Sequence, residues 1–165
     1  MRNMKRNLLA GLVAALVCII TGLSASANAQ ALKGRTAFAH ETATQQPLYS
    51  DYKGVRLGMT AQEARAKLGT PALKGNDQDY YVFSDTETAQ IGYGADQKVV
   101  SISVDYLRGV GAPDYKTVVP GELGTTFSGS QYRMVRYENL GFWVSYNRTV
   151  GPVPMVTITI QKIIQ

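Results

Sequence analysis

Arg56 to Pro71 reads RLGMTAQEARAKLGTP and holds a helix start, a helix stop and a turn within sixteen residues. Thr60 followed by Glu63 is a capping box. The threonine hydroxyl accepts the Glu63 N–H, and the Glu63 carboxylate reaches back to the Thr60 N–H. Gly69 just past the last turn is expected to take the left-handed conformation, and Pro71 forbids continuation. The predicted helix has about two turns, well short of the roughly 12 to 15 residues at which an isolated helix becomes marginal. It must therefore dock on something. Met59, Ala61, Ala64 and Leu68 share a narrow face with small residues, which suits close approach to a flat sheet. Gln62, Arg65 and Lys67 are read as pointing away from it, with Glu63 in reach of Lys67.

The sheet is predicted directly downstream. Asp79 to Ser84, Thr88 to Tyr93 and Lys98 to Tyr106 read as three strands. In the third, Val100, Ile102, Val104 and Tyr106 alternate with more polar neighbours, the pattern of a half-buried antiparallel strand. Leu107 to Gly129 interrupts with four glycines and two prolines before Gly129 itself and reads as a long loop, with one irregular turn near Tyr115 to Val118. Gln131 to Tyr137, Phe142 to Asn147 and Met155 to Ile163 then form a second three-strand meander. Tyr80 and Tyr132 open the two meanders alike, and Val100 to Val104 matches Val156 to Ile160 in spacing. A degenerate repeat and a coincidence of common meanders both fit that likeness. The expected class is α+β: a short N-terminal capped helix packed on an antiparallel sheet of about six strands in two meanders.

Upstream, Arg2, Lys5 and Arg6 precede the apolar run Leu8 to Leu23, and Ala27-Asn28-Ala29 supplies small residues for cleavage. Residues 1–29 therefore read as a secretory signal peptide. The run has 16 residues, fewer than a spanning helix needs, and retention as an anchor is the minor alternative. Residues 30–47 are polar and aperiodic and read as a flexible tether, or more plainly as a loose terminus. Residues 48–165 read as a single domain. Removing 29 of 165 residues leaves 136, enough for one core.

The chain carries 17 Lys and Arg against 12 Asp and Glu, but three of those cations belong to the leader. What remains is close to neutral and has no basic run, which argues against a nucleic-acid partner. The only cysteine, Cys18, lies in the leader, so disulfides, thiolate metal sites and thiol nucleophiles are excluded from the rest. His40, the only histidine, falls in the expected tether, away from any acid or nucleophile of the expected ordered domain, and is a poor general base or metal ligand. Asp77 with Asp79 and Asp85 with Glu87 are close carboxylate pairs. Turn solvation explains them more simply than a cation does. No cofactor, metal or catalytic residue is expected.

The residues best suited to binding are aromatic. With Phe142, Val144 and Tyr146 facing the core, Trp143 shares the opposite face with Ser145 and Asn147, beside Tyr132, Met134 and Arg136. Trp, Tyr, Met and Arg on a polar face have the composition of an interface core. The plainer alternative is that Trp143 is packed under the long loop.

Gly58-Met59-Thr60, Glu63, Leu68-Gly69 and Pro71, followed by a Tyr-rich strand, a hairpin and a strand ending Ile102-Ser103-Val104, resemble the SmpA/OmlA (BamE-like) family over about Tyr52 to Tyr106. That family shares its α+β layout with the β-lactamase inhibitory proteins. The resemblance implies a non-enzymatic periplasmic domain that binds other proteins in outer-membrane or envelope assembly and maintenance. It assigns Thr60, Glu63, Gly69 and Pro71 a structural role. Inhibition of a secreted or periplasmic hydrolase is the alternative. The expected partners are envelope or periplasmic proteins, and the expected location is periplasmic or secreted. Membrane contact is expected to be at most indirect, as a peripheral association with the outer membrane. Two features depart from the family pattern: no lipid-attachment cysteine follows the leader, and a second meander extends the chain.

Overall fold

The computed structural model of the protein describes residues 40–42 and 46–163. The expected signal peptide and most of the expected tether lie outside them. The strands are β1 (His40–Thr42), β2 (Leu73–Lys74), β3 (Gln78–Val82), β4 (Glu87–Tyr93), β5 (Val99–Leu107), β6 (Gly124–Thr125), β7 (Gln131–Tyr137), β8 (Phe142–Arg148) and β9 (Met155–Lys162), and the helix is α1 (Ala61–Leu68). All nine strands belong to one sheet of order β1-β7-β8-β9-β5-β4-β3-β2, with β6 pairing β7.

This corrects the expected α+β class with about six strands. The protein is mostly β, with a single short helix. The two meanders are present, but β5 pairs antiparallel with β9 and fuses them into one sheet. The extra strands are two or three residues long and pair with β3 or β7. Such fragments carry no hydrophobic period, so alternation cannot reveal them; they are placed by the unpaired backbone of the strands they cover. His40–Thr42, within the stretch read as a tether, runs parallel to β7.

The fused sheet has an approximate two-fold character. Each meander places its last strand at the centre, and Ser103 and Thr159, equated by the spacing likeness, sit directly opposite one another. Their hydroxyls are 3.2 Å apart.

One face of the sheet carries the core, with Ala89, Ile91, Ile102, Val104, Val135, Val144, Ile158 and Ile160 buried. Val118 and Val119, from the long loop, are completely buried with them, next to a 3-10 turn at Tyr115–Thr117. That loop is therefore part of the core. On β5 it is Val99, and only partly Val100, that is buried, because the register slips opposite Gly92 and Tyr93 and a bulge turns the pleat.

The helix begins as its sequence dictates. The Thr60 side chain accepts from Glu63 N at 3.2 Å, and a Glu63 carboxylate oxygen accepts from Thr60 N at 2.8 Å. Gly69 has φ 87° and ψ −157°, a positive-φ region that only glycine visits without strain, rather than the left-handed cap expected. Ala61 N donates to Gln97 O and Val99 N to Met59 O, which stitches the helix start to the β4–β5 turn. Ala61 and Ala64 are buried against the sheet, with Met59 and Leu68 packed at the margin.

Arg65 does not point away. Its guanidinium reaches Asp79 on β3, Nε to Oδ2 at 2.7 Å and Nη2 to Oδ1 at 3.1 Å. Asp79 is completely buried and also accepts from Tyr93 Oη at 2.7 Å and Gly75 N at 3.3 Å. Burial opposes ionisation, but the hydrogen bonds from Arg65, Tyr93 and Gly75 outweigh it and hold the carboxyl below its ordinary range. Asp79 is thus a tie between helix and sheet, and solvation in a turn is the wrong reading for it.

Candidate functional site

The face opposite the core is built from the other half of each strand's alternation. Reading across the ladder, Met134, Ser145, Thr159, Ser103, Gln90 and Tyr80 form one row of directly opposed residues. The neighbouring row runs Arg136, Trp143, Gln161, Ser101, Gly92 and Gln78. A third joins Tyr132 to Asn147, Thr157 and Asp105. The middle of the face is hydroxyl and amide. Among these three rows the charges are Arg136 and Asp105, and Asp105 accepts from Thr157 Oγ1 at 2.7 Å.

All four expected binding residues fall on this face, on the adjacent strands β7 and β8. Arg136 is opposite Trp143, Met134 opposite Ser145, and Tyr132 opposite Asn147. Tyr132, Met134, Arg136 and Trp143 are half-buried, while Ser145 between them is buried. Arg136 also pairs with Glu138 at 3.5 Å in the following turn. Burial raises the Tyr132 phenol above its ordinary value, so it stays protonated as a neutral hydrogen-bonding group. Phe142, Val144 and Tyr146 take the core side, as the alternation predicts.

The structural motif residues lie elsewhere. Thr60, Glu63, Gly69 and Pro71 are at the two ends of α1, on the core side of the sheet.

The carboxylate pairs do not converge on a reactive centre. Glu87 accepts from Tyr52 Oη at 2.8 Å and pairs with Lys53 at 3.3 Å, whose ammonium also sits 4.7 Å from the Phe83 ring centroid. That cluster fastens the segment before α1 to the β3–β4 hairpin. Burial first, then the Glu87 bond, drives the Tyr52 phenol well above its ordinary value. Among the described residues no group of three or more His, Cys, Asp or Glu could hold a metal ion.

Two clefts of about 440 and 410 Å³ open at opposite ends of the sheet. The first is lined by Leu57, Phe142 and Ile160 with Arg56, Lys98 and Lys162 at its margin. The second holds Arg108 and Arg148 with Asp114, Glu122 and Tyr115. The acids serve local roles: in the first cleft Asp96 accepts from Lys98 N, and in the second Asp114 caps the 3-10 turn through Lys116 N and Glu122 accepts from Tyr115 Oη.

Sequence reading missed two features. The Arg65–Asp79 tie could have been suspected from an arginine one turn before the helix end and an acid at an apolar strand start. Phe127, fully exposed in a turn, stands in an uncharged run of small residues where a lone aromatic has nothing to pack on.

Family models, curated proteins and solved structures give no match to this chain.

Proposed function

We propose that this is a non-enzymatic binding domain of the cell envelope that engages another protein through the open face of its sheet, with Trp143, Arg136, Met134 and Tyr132 as the anchoring group. The observation that carries the reading is the Arg136–Trp143 pair, set beside Met134 and Tyr132 on an otherwise hydroxyl and amide surface. Large aromatic and Arg anchors surrounded by small polar contacts are how most interfaces concentrate their affinity. The low charge of the face favours a partner surface that is itself largely uncharged, since every unpaired charge buried there would cost free energy. The envelope location and a role in its assembly or maintenance rest on the leader-like N-terminus and the SmpA/OmlA resemblance.

The test compares recovery of partner proteins after cross-linking of intact envelopes with wild type and with Trp143→Ala/Arg136→Ala. The reading expects specific adducts that the double variant loses while its far-UV spectrum stays unchanged. Identical adduct patterns from the two proteins would contradict it.

A further inference from the structure

Three connections leave the same end of the sheet. The end of β5 is opposite the start of β9, and the end of β8 is opposite the start of β7, as Leu107↔Met155 and Arg148↔Gln131. The loop after β5, the β6–β7 turn and the β8–β9 turn therefore emerge side by side. Contacts confirm it: Arg108 N donates to Pro154 O, and a Cβ placed on Gly129 would lie 3.6 Å from Val150 Cγ2. At the strand spacing of about 4.8 Å, the three connections span roughly 15 Å.

Each presents a large apolar side chain to solvent. Val110, Val150 and Val153 are all more than half exposed, and Phe127 is completely exposed. Residues 109–113, 124–131 and 149–155 contain no charged side chain. Their backbones are tied internally: Gly129 N to Thr126 O at 2.9 Å, Thr126 N to Ser130 O at 2.8 Å, Thr149 N to Met155 O at 2.9 Å and Val110 N to Leu107 O at 3.2 Å. Immediately behind them stand Arg108 and Arg148, both exposed and with no ion pair among the described residues.

We infer that this end of the sheet is a membrane-contacting tip, whose Phe127, Val110, Val150 and Val153 enter the interfacial layer of a phospholipid bilayer while Arg108 and Arg148 meet lipid phosphates. An apolar projection suits a fluid phase that deforms around it, whereas a protein partner would need a preformed socket for four separate side chains. Closed turns reduce the penalty of taking backbone groups out of water. Burial of the apolar side chains and attraction to anionic headgroups then act together. Direct insertion goes beyond the merely indirect membrane contact expected from sequence, and it is independent of the proposed protein-binding face. Asp114 and Glu122 in the cleft behind the tip temper the positive charge, so anionic lipid strengthens contact without being its only source.

The test places a single tryptophan at the tip, as Phe127→Trp in a Trp143→Phe background of the full chain, and reads its fluorescence with vesicles of phosphatidylcholine alone or mixed with phosphatidylglycerol. Emission should shift to the blue and be quenched by lipids brominated near the headgroup, more strongly with phosphatidylglycerol. Because this probe reports its own depth, attachment through the apolar N-terminal segment does not mimic the result. The triple variant Phe127→Ser/Val150→Ser/Val153→Ser, all exposed positions, should cut vesicle quenching of a Val110→Trp reporter by about tenfold or more. A tip tryptophan whose emission and quenching are unchanged by both vesicle types would overturn the inference and leave the tip to a protein partner.

Discussion

Arg136 on β7 lies directly opposite Trp143 on β8, so the two side chains project from the same face of the sheet. Trp143→Ala and Met134→Ala should each weaken partner binding by about 2 kcal/mol, some thirtyfold in Kd. Tyr80→Ala, in the same row as Met134 but on β3, should change it little. Quantitative binding with a captured partner checks this, and an equal loss at Tyr80 would spread the site over the whole sheet.

The Arg65–Asp79 tie predicts a large stability effect away from that face. Asp79→Asn removes the charge that balances Arg65 and should cost about 3 kcal/mol in urea unfolding. Asp79→Leu combined with Arg65→Met should be much less damaging, because no uncompensated charge remains. Equal damage from the two would mean that packing, and not charge, sets the cost.

The same carboxyl gives a pH dependence. Its folded value is depressed below the unfolded one of about 4, so its contribution is complete above that pH and is lost as pH falls through the folded value. In that window the unfolded chain binds more protons, and stability rises with pH. Glu63, held low by the Thr60 backbone and hydroxyl, acts in the same direction. Urea midpoints measured from pH 5 downward should fall more steeply for wild type than for Asp79→Asn.

Thr60→Ala deletes the acceptor for Glu63 N and should cost about 1 kcal/mol. Binding should be affected only through that loss, since α1 lies on the core side. A drop in affinity with an unchanged Tm would move the motif into the site.

How much of this was legible follows from which signals have a period. From Val144 to Asn147 apolar and polar residues alternate, so the opposite faces of Trp143 and Val144 could be read from sequence even though Ser145 is buried between its neighbours, and the Thr60–Glu63 box announced the helix start. The two-residue strands at Leu73 and Gly124 have no alternation to read. They exist because β3 and β7 would otherwise expose backbone. The union of the meanders depends on Ser103 meeting Thr159, a contact between residues 56 apart that local pattern cannot encode. The misplaced Val100 shows the same limit, since one bulge inverts the inside and outside of a strand end. Val118 and Val119 were hidden by the glycines and prolines around them, which mark a loop but say nothing of what it buries.

The proposed site lies on the polar face of the sheet and not on the helix side. A photo-reactive amino acid at Ser103, the centre of that face, and at Gln62, on the exposed side of α1, separates the two in intact envelopes. Ser103 should give a discrete adduct that disappears with Trp143→Ala, and Gln62 should give none. An adduct from Gln62 alone would contradict that placement.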